Sequence, residues 1–316
     1  MTVPLAFVFP GQGSQSLGML AGLAGRDPGV RATFDEASEG AGVDLWALSQ
    51  EGPEEQLNQT EFTQPALLAA SIAVWRLWRA RGGATPAVLA GHSLGEYSAL
   101  VAAGALTLRD AAQLVRLRGQ FMQDAMPPGS GAMAAVLGAE DTLVEAACRE
   151  AARGGVVVPA NYNAPGQVVI GGHADAVDRA LSLLAERGVR KAVKLAVSVP
   201  SHTPLMRGAA ERLAAAIAAL DWRPPAIPVV QNVDAAVHDG IGAITEALVR
   251  QLHEPVQWTR CVQALAARGT MRLIECGPGK VLTGLAKRID KALEARALGT
   301  ADDFEATLAE WGGAAG

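Results

Sequence analysis

The chain has 316 residues, half of them hydrophobic and 19% charged, which is enough for a sizeable core and for two structural units. Its net charge of -5 at pH 7 argues against a nucleic-acid-binding protein. No apolar run is long enough to span a membrane, and the N-terminus lacks the pattern of a signal peptide. Three widely spaced cysteines fit neither a disulfide framework nor a zinc site. We therefore expect a cytoplasmic protein without a metal centre.

The first apolar run, residues 5–9, predicts a buried strand. The loop after it, GQGSQS at residues 11–16, looks like a dinucleotide-binding turn. Ser16, however, stands where that fingerprint requires glycine or alanine. GPGK at residues 277–280 looks like the end of a phosphate-binding loop, but Ile274 occupies the place of its first glycine. Neither segment is therefore expected to bind a nucleotide.

The pentapeptide Gly91-His92-Ser93-Leu94-Gly95 lies between an apolar run and a helix-compatible run. Gly-x-Ser-x-Gly in a strand–turn–helix context predicts a nucleophile elbow. The glycines permit a tight, strained turn in which a Cβ would clash. Such a turn would expose the hydroxyl of Ser93 and aim the backbone amide of Leu94 at the same space.

A helix is predicted to begin at Thr107, whose hydroxyl can cap it. Helical spacing predicts an inward stripe at Leu114, Leu117, Phe121 and Met122. Arg118 falls within this stripe, whereas Arg116 falls on the outer face. A buried guanidinium needs an anion, which is either an internal carboxylate or the carboxylate of a substrate. Spacing alone leaves both possibilities open.

Beyond the Pro- and Gly-rich stretch at residues 126–131, the elements change their order. They read strand 132–137, helix 140–153, strand 156–160, strand 167–170, helix 174–187 and strand 192–197. This βαββαβ order is the ferredoxin-like arrangement. We therefore predict an α/β fold: a large domain at residues 1–128 and 199–316, with a small domain inserted at 129–198. The alternative is that these strands extend the main sheet.

The serine needs a base, and the chain has five histidines. His202 is favoured, because it lies where the chain leaves the inserted unit and a domain boundary is a usual place for a cleft. His92 adjoins the serine, but neighbours in a tight turn point in different directions. His173 is expected to be solvated in a turn of the small unit. A lone loop histidine is more often structural, so the choice of His202 depends on the elbow.

Several segments together resemble the malonyl-CoA:acyl carrier protein transacylase family, from about residue 7 to residue 289. They are 9–15 (FPGQGSQ), 63–66 (TQPA), 91–97 (GHSLGEY), 118–122 (RGQFM), 163–167 (NAPGQ), 199–202 (VPSH), 251–258 (QLHEPVQW) and 275–280 (ECGPGK). The resemblance implies a hydrolase-like large domain with a parallel-sheet core and a ferredoxin-like insertion. One departure is His253-Glu254, where members of the family often have Tyr-Asn. We interpret this pair as loop variation; the alternative is that Glu254 pairs with a cation near the pocket.

The resemblance also implies roles for individual residues. Ser93 would be the nucleophile and His202 its base, oriented by the backbone carbonyl of Gln251. The amides of Gln12 and Leu94 would form the oxyanion hole. Arg118 would bind the malonyl carboxylate. Further pocket residues would be Gln64, His92, Met122, Asn163 and Ser201.

The implied reaction is ping-pong transfer of malonyl from malonyl-CoA to the phosphopantetheine thiol of an acyl carrier protein, without a cofactor. The expected partners are these two substrates, with no nucleic acid and no membrane, and the protein is expected to be a monomer. Two basic groups could receive the acidic carrier: Arg187, Arg190, Lys191 and Lys194, or Lys280, Lys287 and Arg288. Three alternatives are a polyketide acyltransferase, a serine thioesterase and an inactive carrier-binding homologue. The inward arginine and the lack of an evident triad acid argue against the thioesterase.

Overall fold

The computed structural model describes residues 4–197 and 199–313. Its strands are β1 Leu5–Phe9, β2 Val88–Gly91, β3 Gly131–Leu137, β4 Val157–Ala164, β5 Gln167–His173, β6 Lys191–Lys194, β7 Val229–Val230, β8 Arg272–Glu275 and β9 Glu294–Ala297. The helices before β3 are α1 Ala21–Ala24, α2 Pro28–Ala41, α3 Leu45–Glu51, α4 Glu54–Leu57, α5 Thr60–Ala80, α6 Gly95–Ala102 and α7 Leu108–Asp124. The later helices are α8 Asp141–Ala152, α9 Ala174–Glu186, α10 Arg207–Ala218, α11 Ile241–Gln251, α12 Trp258–Ala267, α13 Val281–Ile289 and α14 Ala301–Trp311, with a 3-10 turn at Pro204–Met206.

The larger sheet is parallel and has the strand order β7-β2-β1-β8-β9. Alternation along β1 sends its side chains to opposite faces of this sheet. Phe7 and Phe9 pack into the core formed with α2, α5 and α7, whereas Ala6 and Val8 pack into the core formed with α12 and α13. Helices therefore cover both faces, as a buried parallel sheet requires.

The smaller sheet is antiparallel and has the order β4-β5-β3-β6. The βαββαβ succession expected from the sequence is confirmed, and within the described residues these strands form a sheet separate from the parallel one. The prediction of a last strand up to residue 197 was wrong, because β6 ends at Lys194. The N–H of Leu195 still donates to Met133, and the chain then turns away to line a cleft.

The antiparallel sheet pairs with a segment of the larger unit through backbone hydrogen bonds. Val256, in the segment between α11 and α12, bridges to Asn161 of β4 in parallel orientation. The N–H of Val256 donates to the carbonyl of Ala160, and the N–H of Tyr162 donates to the carbonyl of Val256. This contact fixes the antiparallel sheet beside the carboxyl ends of β1 and β2, which is where ligands bind in open parallel sheets.

Candidate active site

Ser93 lies in the sharp turn between β2 and α6, with a positive φ of 53°. A Cβ on Gly91 would approach the backbone of Gly95 to 1.9 Å, and a Cβ on Gly95 would lie 2.0 Å from the carbonyl oxygen of Phe9. Only glycine fits both positions, so the elbow expected from the sequence has a direct steric cause. The turn presents the Ser93 hydroxyl at the carboxyl edge of the parallel sheet.

The imidazole of His202 is 3% exposed and contacts the elbow. Its Nδ1 lies 2.6 Å from the backbone carbonyl oxygen of Gln251, and its Nε2 lies 2.8 Å from Oγ of Ser93. A carbonyl only accepts hydrogen bonds, so Nδ1 carries the proton and Nε2 is left to accept from the serine hydroxyl. Burial, and then the charge of Arg118, lower the pKa of His202 to about 3. The imidazole is therefore neutral, and the free lone pair of its Nε2 faces the serine hydroxyl.

Arg118 of α7 is 1% exposed and reaches the same point from another side. Its guanidinium donates to Oε1 of Gln64 at 2.7 Å and to Oε1 of Gln251 at 3.0 Å. It also lies 3.3 Å from Oγ of Ser93. Among the described residues no carboxylate comes within ion-pair distance of Arg118. The reading of Arg118 as one half of an internal salt bridge is therefore not supported, and a buried cation faces the cleft without a contacting anion.

The helix that carries Arg118 begins as expected, since Thr107 Oγ1 accepts from the N–H of Asp110. The predicted inward stripe was partly wrong, because Leu117 and Phe121 are only half-buried. The buried positions are Leu108, Ala111, Ala112, Leu114, Val115, Arg118, Gly119 and Met122. Arg116 is half-buried rather than fully outward, and it donates to the carbonyl of Ala41. The buried stripe is thus rotated relative to the predicted one.

Two backbone amides near the serine have no acceptor within the described part of the chain: those of Gln12 and Leu94. Gln12 follows β1, and its side chain donates to Thr60 at 3.3 Å. Leu94 is the residue before α6, so its amide is one of the unpaired donors at a helix N-terminus. Two free N–H groups beside a nucleophile can stabilise a developing oxyanion.

A cleft of about 240 Å³ joins these groups and is lined from both sheets. The residues selected from the sequence that line it are Gln12, Gln64, His92, Ser93, Leu94, Arg118, Met122, Asn163, Ser201 and His202. Gln251 is fully buried behind them and does not line the cleft. His92 and Asn163 contact each other, with Nε2 to Oδ1 at 2.8 Å. Among the described residues no three metal-ligating side chains come together.

Two other histidine segments lie apart from the cleft. The expectation for His173 was wrong: it ends β5, is half-buried, and its Nδ1 accepts from the N–H of Val156. Glu254 forms two hydrogen bonds with Arg250 of the preceding turn, at 3.1 and 2.8 Å. Neither His173 nor Glu254 lines the cleft. The His253-Glu254 pair therefore changes the end of α11 rather than the pocket.

Sequence reasoning missed two polar residues beside the elbow. Oδ1 of Asn232 accepts from the N–H of Ser93 at 2.7 Å, and its Nδ2 donates to the carbonyl of Gly91 at 2.7 Å. Glu96 is fully buried and contacts the residues behind the site. Asn232 follows the buried pair of β7, and polar residues at the carboxyl end of a parallel strand are a usable signal.

The model of the acyl transferase domain family matches residues 6–301. The malonyl CoA-acyl carrier protein transacylase of Salmonella typhimurium is 54% identical over 305 residues, covering 96% of this chain and 99% of that protein. The chain belongs to the malonyl-CoA:acyl carrier protein transacylase family. Segment 91–97, one of those that carried the resemblance in the sequence, contains the elbow.

Solved structures of the transacylase family share the whole fold. The crystal structure of the Xanthomonas oryzae malonyl-CoA:acyl carrier protein transacylase has a TM-score of 0.98 and 71% identity, covering 99% of this chain and 100% of that one. A malonyl-transacylase solved in complex with a type II polyketide synthase acyl carrier protein has a TM-score of 0.96 and 51% identity, covering 97% and 99%. The mixed α/β fold, with one parallel and one antiparallel sheet, is thus that of the transacylases. No helix in the described ranges has the length and apolarity that crossing a bilayer requires.

Proposed function

We propose that this protein transfers the malonyl group from malonyl-CoA to the phosphopantetheine thiol of an acyl carrier protein through a malonyl ester of Ser93. The proposal rests on one observation: an imidazole and a guanidinium both lie close to Oγ of Ser93. Oγ of Ser93 lies 2.8 Å from a neutral imidazole nitrogen and 3.3 Å from a buried guanidinium. The first group can take the hydroxyl proton and the second can bind an acidic acyl group.

The first half-reaction follows from these contacts. The malonyl carboxylate binds Arg118, and Ser93 Oγ attacks the thioester carbonyl while His202 takes its proton. The amides of Gln12 and Leu94 donate to the oxyanion, and removal of one such donor typically costs about 3–4 kcal/mol. The tetrahedral intermediate then expels CoA as a thiol, with the proton supplied by His202.

The second half-reaction reverses the first with another thiol. His202 takes the proton from the carrier's phosphopantetheine thiol, whose sulfur attacks the malonyl ester. Collapse of the intermediate returns the proton to Ser93 and releases the malonyl thioester. Gln64 is proposed to hold Arg118 in place, and His92, Met122, Asn163 and Ser201 to shape the pocket. No residue of this scheme needs a cofactor of the enzyme's own.

Several finer assignments belong to the same proposal. We regard residues 1–128 and 199–316 as a hydrolase-like domain and 129–198 as a ferredoxin-like insertion, because the cleft separates the two sheets. A monomer in the cytoplasm is proposed, and three free buried cysteines suit a reducing compartment. The carrier is proposed to dock beside the cleft mouth, where exposed lysines lie.

Intact mass measurement after incubation with malonyl-CoA tests the proposal. Wild-type protein should gain one malonyl group, and Ser93→Ala should gain none. Ser98→Ala is the matched control, because Ser98 is a buried serine of α6, the helix that follows the elbow, and its hydroxyl has no partner in the described residues. Labelling of Ser93→Ala at the wild-type rate would contradict the nucleophile assignment.

A second candidate differs only in the carrier that accepts malonyl. The similarity to the transacylase solved with a polyketide synthase carrier favours testing both kinds. Malonyl-enzyme should be chased with a fatty-acid carrier and, separately, with a polyketide carrier. The faster chase identifies the natural type, and loss of malonyl to water in both chases would favour a thioesterase instead.

A further inference from the structure

Glu96 is a buried carboxylate that the transfer scheme leaves without a role. It lies in the first turn of α6, three residues after the nucleophile, and is 0% exposed. Its Oε2 accepts from the N–H of Asn232 at 2.9 Å and from Nε2 of Gln251 at 3.1 Å, and its Oε1 accepts from Nε2 of Gln231 at 3.2 Å. In the described residues all of these partners are donors, and hydrogen bonds from donors favour the ionised form of a carboxylate.

Gln251 links this carboxylate to the reacting groups. Its backbone carbonyl accepts from Nδ1 of His202, and its side-chain Oε1 accepts from Arg118 at 3.0 Å. Its Nε2 donates to the carbonyl of Ser93 at 2.9 Å as well as to Glu96. One residue therefore contacts the base, the substrate-binding cation and the elbow.

The orientation of the Gln251 amide depends on Glu96. A carboxylate only accepts, so Nε2 must face Glu96 and Oε1 is left for Arg118. The reverse orientation would point an NH₂ group at the guanidinium and leave the carboxylate facing an oxygen. Together with the carbonyl of Ser93, which also accepts from Nε2, Glu96 thus favours the orientation in which Oε1 of the amide meets the cation.

Asn232 provides a second connection from Glu96 to the elbow. Its backbone N–H donates to Glu96, while its side chain accepts from the N–H of Ser93 and donates to the carbonyl of Gly91. The positive φ of Ser93 is a strained conformation that persists only when its surroundings fix it. These two side-chain hydrogen bonds join the end of β2 and the serine itself to one asparagine.

Charge gives Glu96 a further effect on the site. Within the described residues Arg118 contacts only neutral groups, and the negative charge of Glu96 favours its positive form at longer range. Burial raises the pKa of Glu96 to about 7, opposed by its hydrogen bonds and by the charge of Arg118. In the part of the chain that the structure describes, Tyr97 and Cys261, both buried, are the other titratable groups whose pKa Glu96 affects.

We propose that Glu96 is a positioning residue for acyl transfer: it orients the Gln251 amide so that Arg118 is held for an acidic acyl group, and with Asn232 it fixes the elbow. This inference rests on the proposed function. It predicts that Glu96 affects the choice of acyl group as well as the rate.

The test is Glu96→Gln, which keeps the size of the side chain but replaces one acceptor by a donor. The rate of Ser93 acylation is measured with malonyl-CoA and with acetyl-CoA, which has no carboxylate for Arg118. We expect the malonyl rate to fall about 10- to 100-fold, as for a lost hydrogen bond to a charged group, and the malonyl-to-acetyl ratio to fall about tenfold. Leu184→Ala, a buried change in α9, controls for lost stability and should leave the ratio unchanged. An unchanged ratio in folded Glu96→Gln would overturn the proposal.

A double-mutant comparison tests whether Glu96 acts by orienting the Gln251 amide or by stabilising the site in general. Gln251→Leu removes the amide and retains the backbone carbonyl. If Glu96 acts through this amide, adding Glu96→Gln to Gln251→Leu should change the ratio little further. Full additivity of the two losses would count against the proposal.

Failure of Glu96→Gln to fold can also be distinguished from failure of the proposed function. Should Glu96→Gln not fold, Glu96→Asp keeps the carboxylate and moves it back by one methylene, and it should lower the ratio by a smaller factor. An unchanged ratio there would again reject the role of Glu96. If wild-type protein forms no malonyl ester, the proposed function itself fails, irrespective of Glu96.

Discussion

Nη2 of Arg118 lies 3.3 Å from Oγ of Ser93, so the guanidinium and the serine hydroxyl are within hydrogen-bond distance of each other. A substrate whose carboxylate binds Arg118 while its thioester carbon meets Ser93 has room for very few carbons between the two groups. Malonyl places a single methylene there. Because a longer diacid would have to displace the guanidinium from Gln64 and Gln251, the geometry favours a three-carbon acyl group.

Arg118→Ala should therefore lose malonyl selectively. Truncating one partner of a buried, hydrogen-bonded charge typically costs about 3 kcal/mol, or roughly 100-fold in malonyl acylation rate. Acetyl-CoA should be used relatively better than by wild-type protein. Arg116→Ala is the matched control, because this arginine lies on the same helix but does not line the cleft. Rates with both thioesters decide, and an undiminished malonyl preference would exclude the carboxylate role.

The crowding at the elbow predicts that substitution of its glycines by alanine destabilises the fold, whereas the same substitution elsewhere does not. Gly91→Ala and Gly95→Ala place a Cβ about 2 Å from backbone atoms and should destabilise the fold by several kcal/mol. Gly208, in α10, has open space around its Cβ position, and Gly208→Ala should stabilise by about 0.5–1 kcal/mol. Urea denaturation measures both effects. Equal stability of Gly91→Ala and wild type would contradict the steric cause.

The elbow at Ser93 and the inward position of Arg118 could be predicted from the sequence because each depends on local order, whereas the substrate role of Arg118 came only from the family resemblance. Ser93 is flanked by its required glycines within five residues, and Arg118 interrupts an apolar helical face. His202 needed the domain boundary and the family resemblance, since nothing in its immediate neighbours indicates a base. The rotated stripe of α7 shows the limit of periodicity, because the packing partners of a helix decide which side is buried.

The hydrogen bonds that Asn232 and Gln251 make with Ser93 and Glu96 could not be predicted, because they join distant parts of the chain. The contact between Ser93 and Asn232 spans 139 residues. Its donors and acceptors are ordinary amides, which carry no sequence pattern of their own. Glu96 lay inside a recognised motif, yet only the structure shows that it is fully buried and surrounded by donors.

The two basic groups near the cleft should differ in their effect on the carrier. In the first group Arg187 and Lys194 pair with Glu150 and Asp178, and in the described residues Arg190 and Lys191 have no carboxylate partner. In the second group neither Lys280 nor Lys287 has a carboxylate partner in the described residues. The second group, which consists of Lys280, Lys287 and Arg288, also adjoins three residues that line the cleft: Val281, Leu282 and Leu285.

Reversing Lys280, Lys287 and Arg288 to glutamate should raise the carrier KM roughly tenfold, as expected for a few exposed ion pairs. The same reversal of Arg187 and Lys194 should have less effect. Steady-state kinetics at low and high salt provide the measurement, since screening should reduce the difference. Formation of malonyl-enzyme from malonyl-CoA is the internal control. If the two groups weaken carrier turnover equally, pairing does not determine the docking site.

The pH dependence of stability should separate His202 from Glu96, since their pKa values are shifted in opposite directions. The pKa of His202 is lowered to about 3, so below pH 6.5 the unfolded chain binds the additional proton and the free energy of unfolding falls with pH. The pKa of Glu96 is raised to about 7, so between pH 7 and 4.5 the folded protein binds the additional proton and the free energy of unfolding rises as pH falls. Each group contributes at most about 1.4 kcal/mol per pH unit.

His202→Ala should therefore lose less stability than wild type on acidification from pH 6.5 to 4.5. Glu96→Gln should lose more over the same interval, because the compensating proton uptake is removed. Urea denaturation at four pH values across 4.5–7.5 gives both slopes, and Leu184→Ala should run parallel to wild type because it removes no titratable group. If the stability of wild type and of all three variants changes with pH in parallel, the pKa values of His202 and Glu96 are not shifted as the structure indicates. Opposite deviations of the two variants are the expected result, since a buried neutral base and a buried carboxylate stand on either side of the same glutamine.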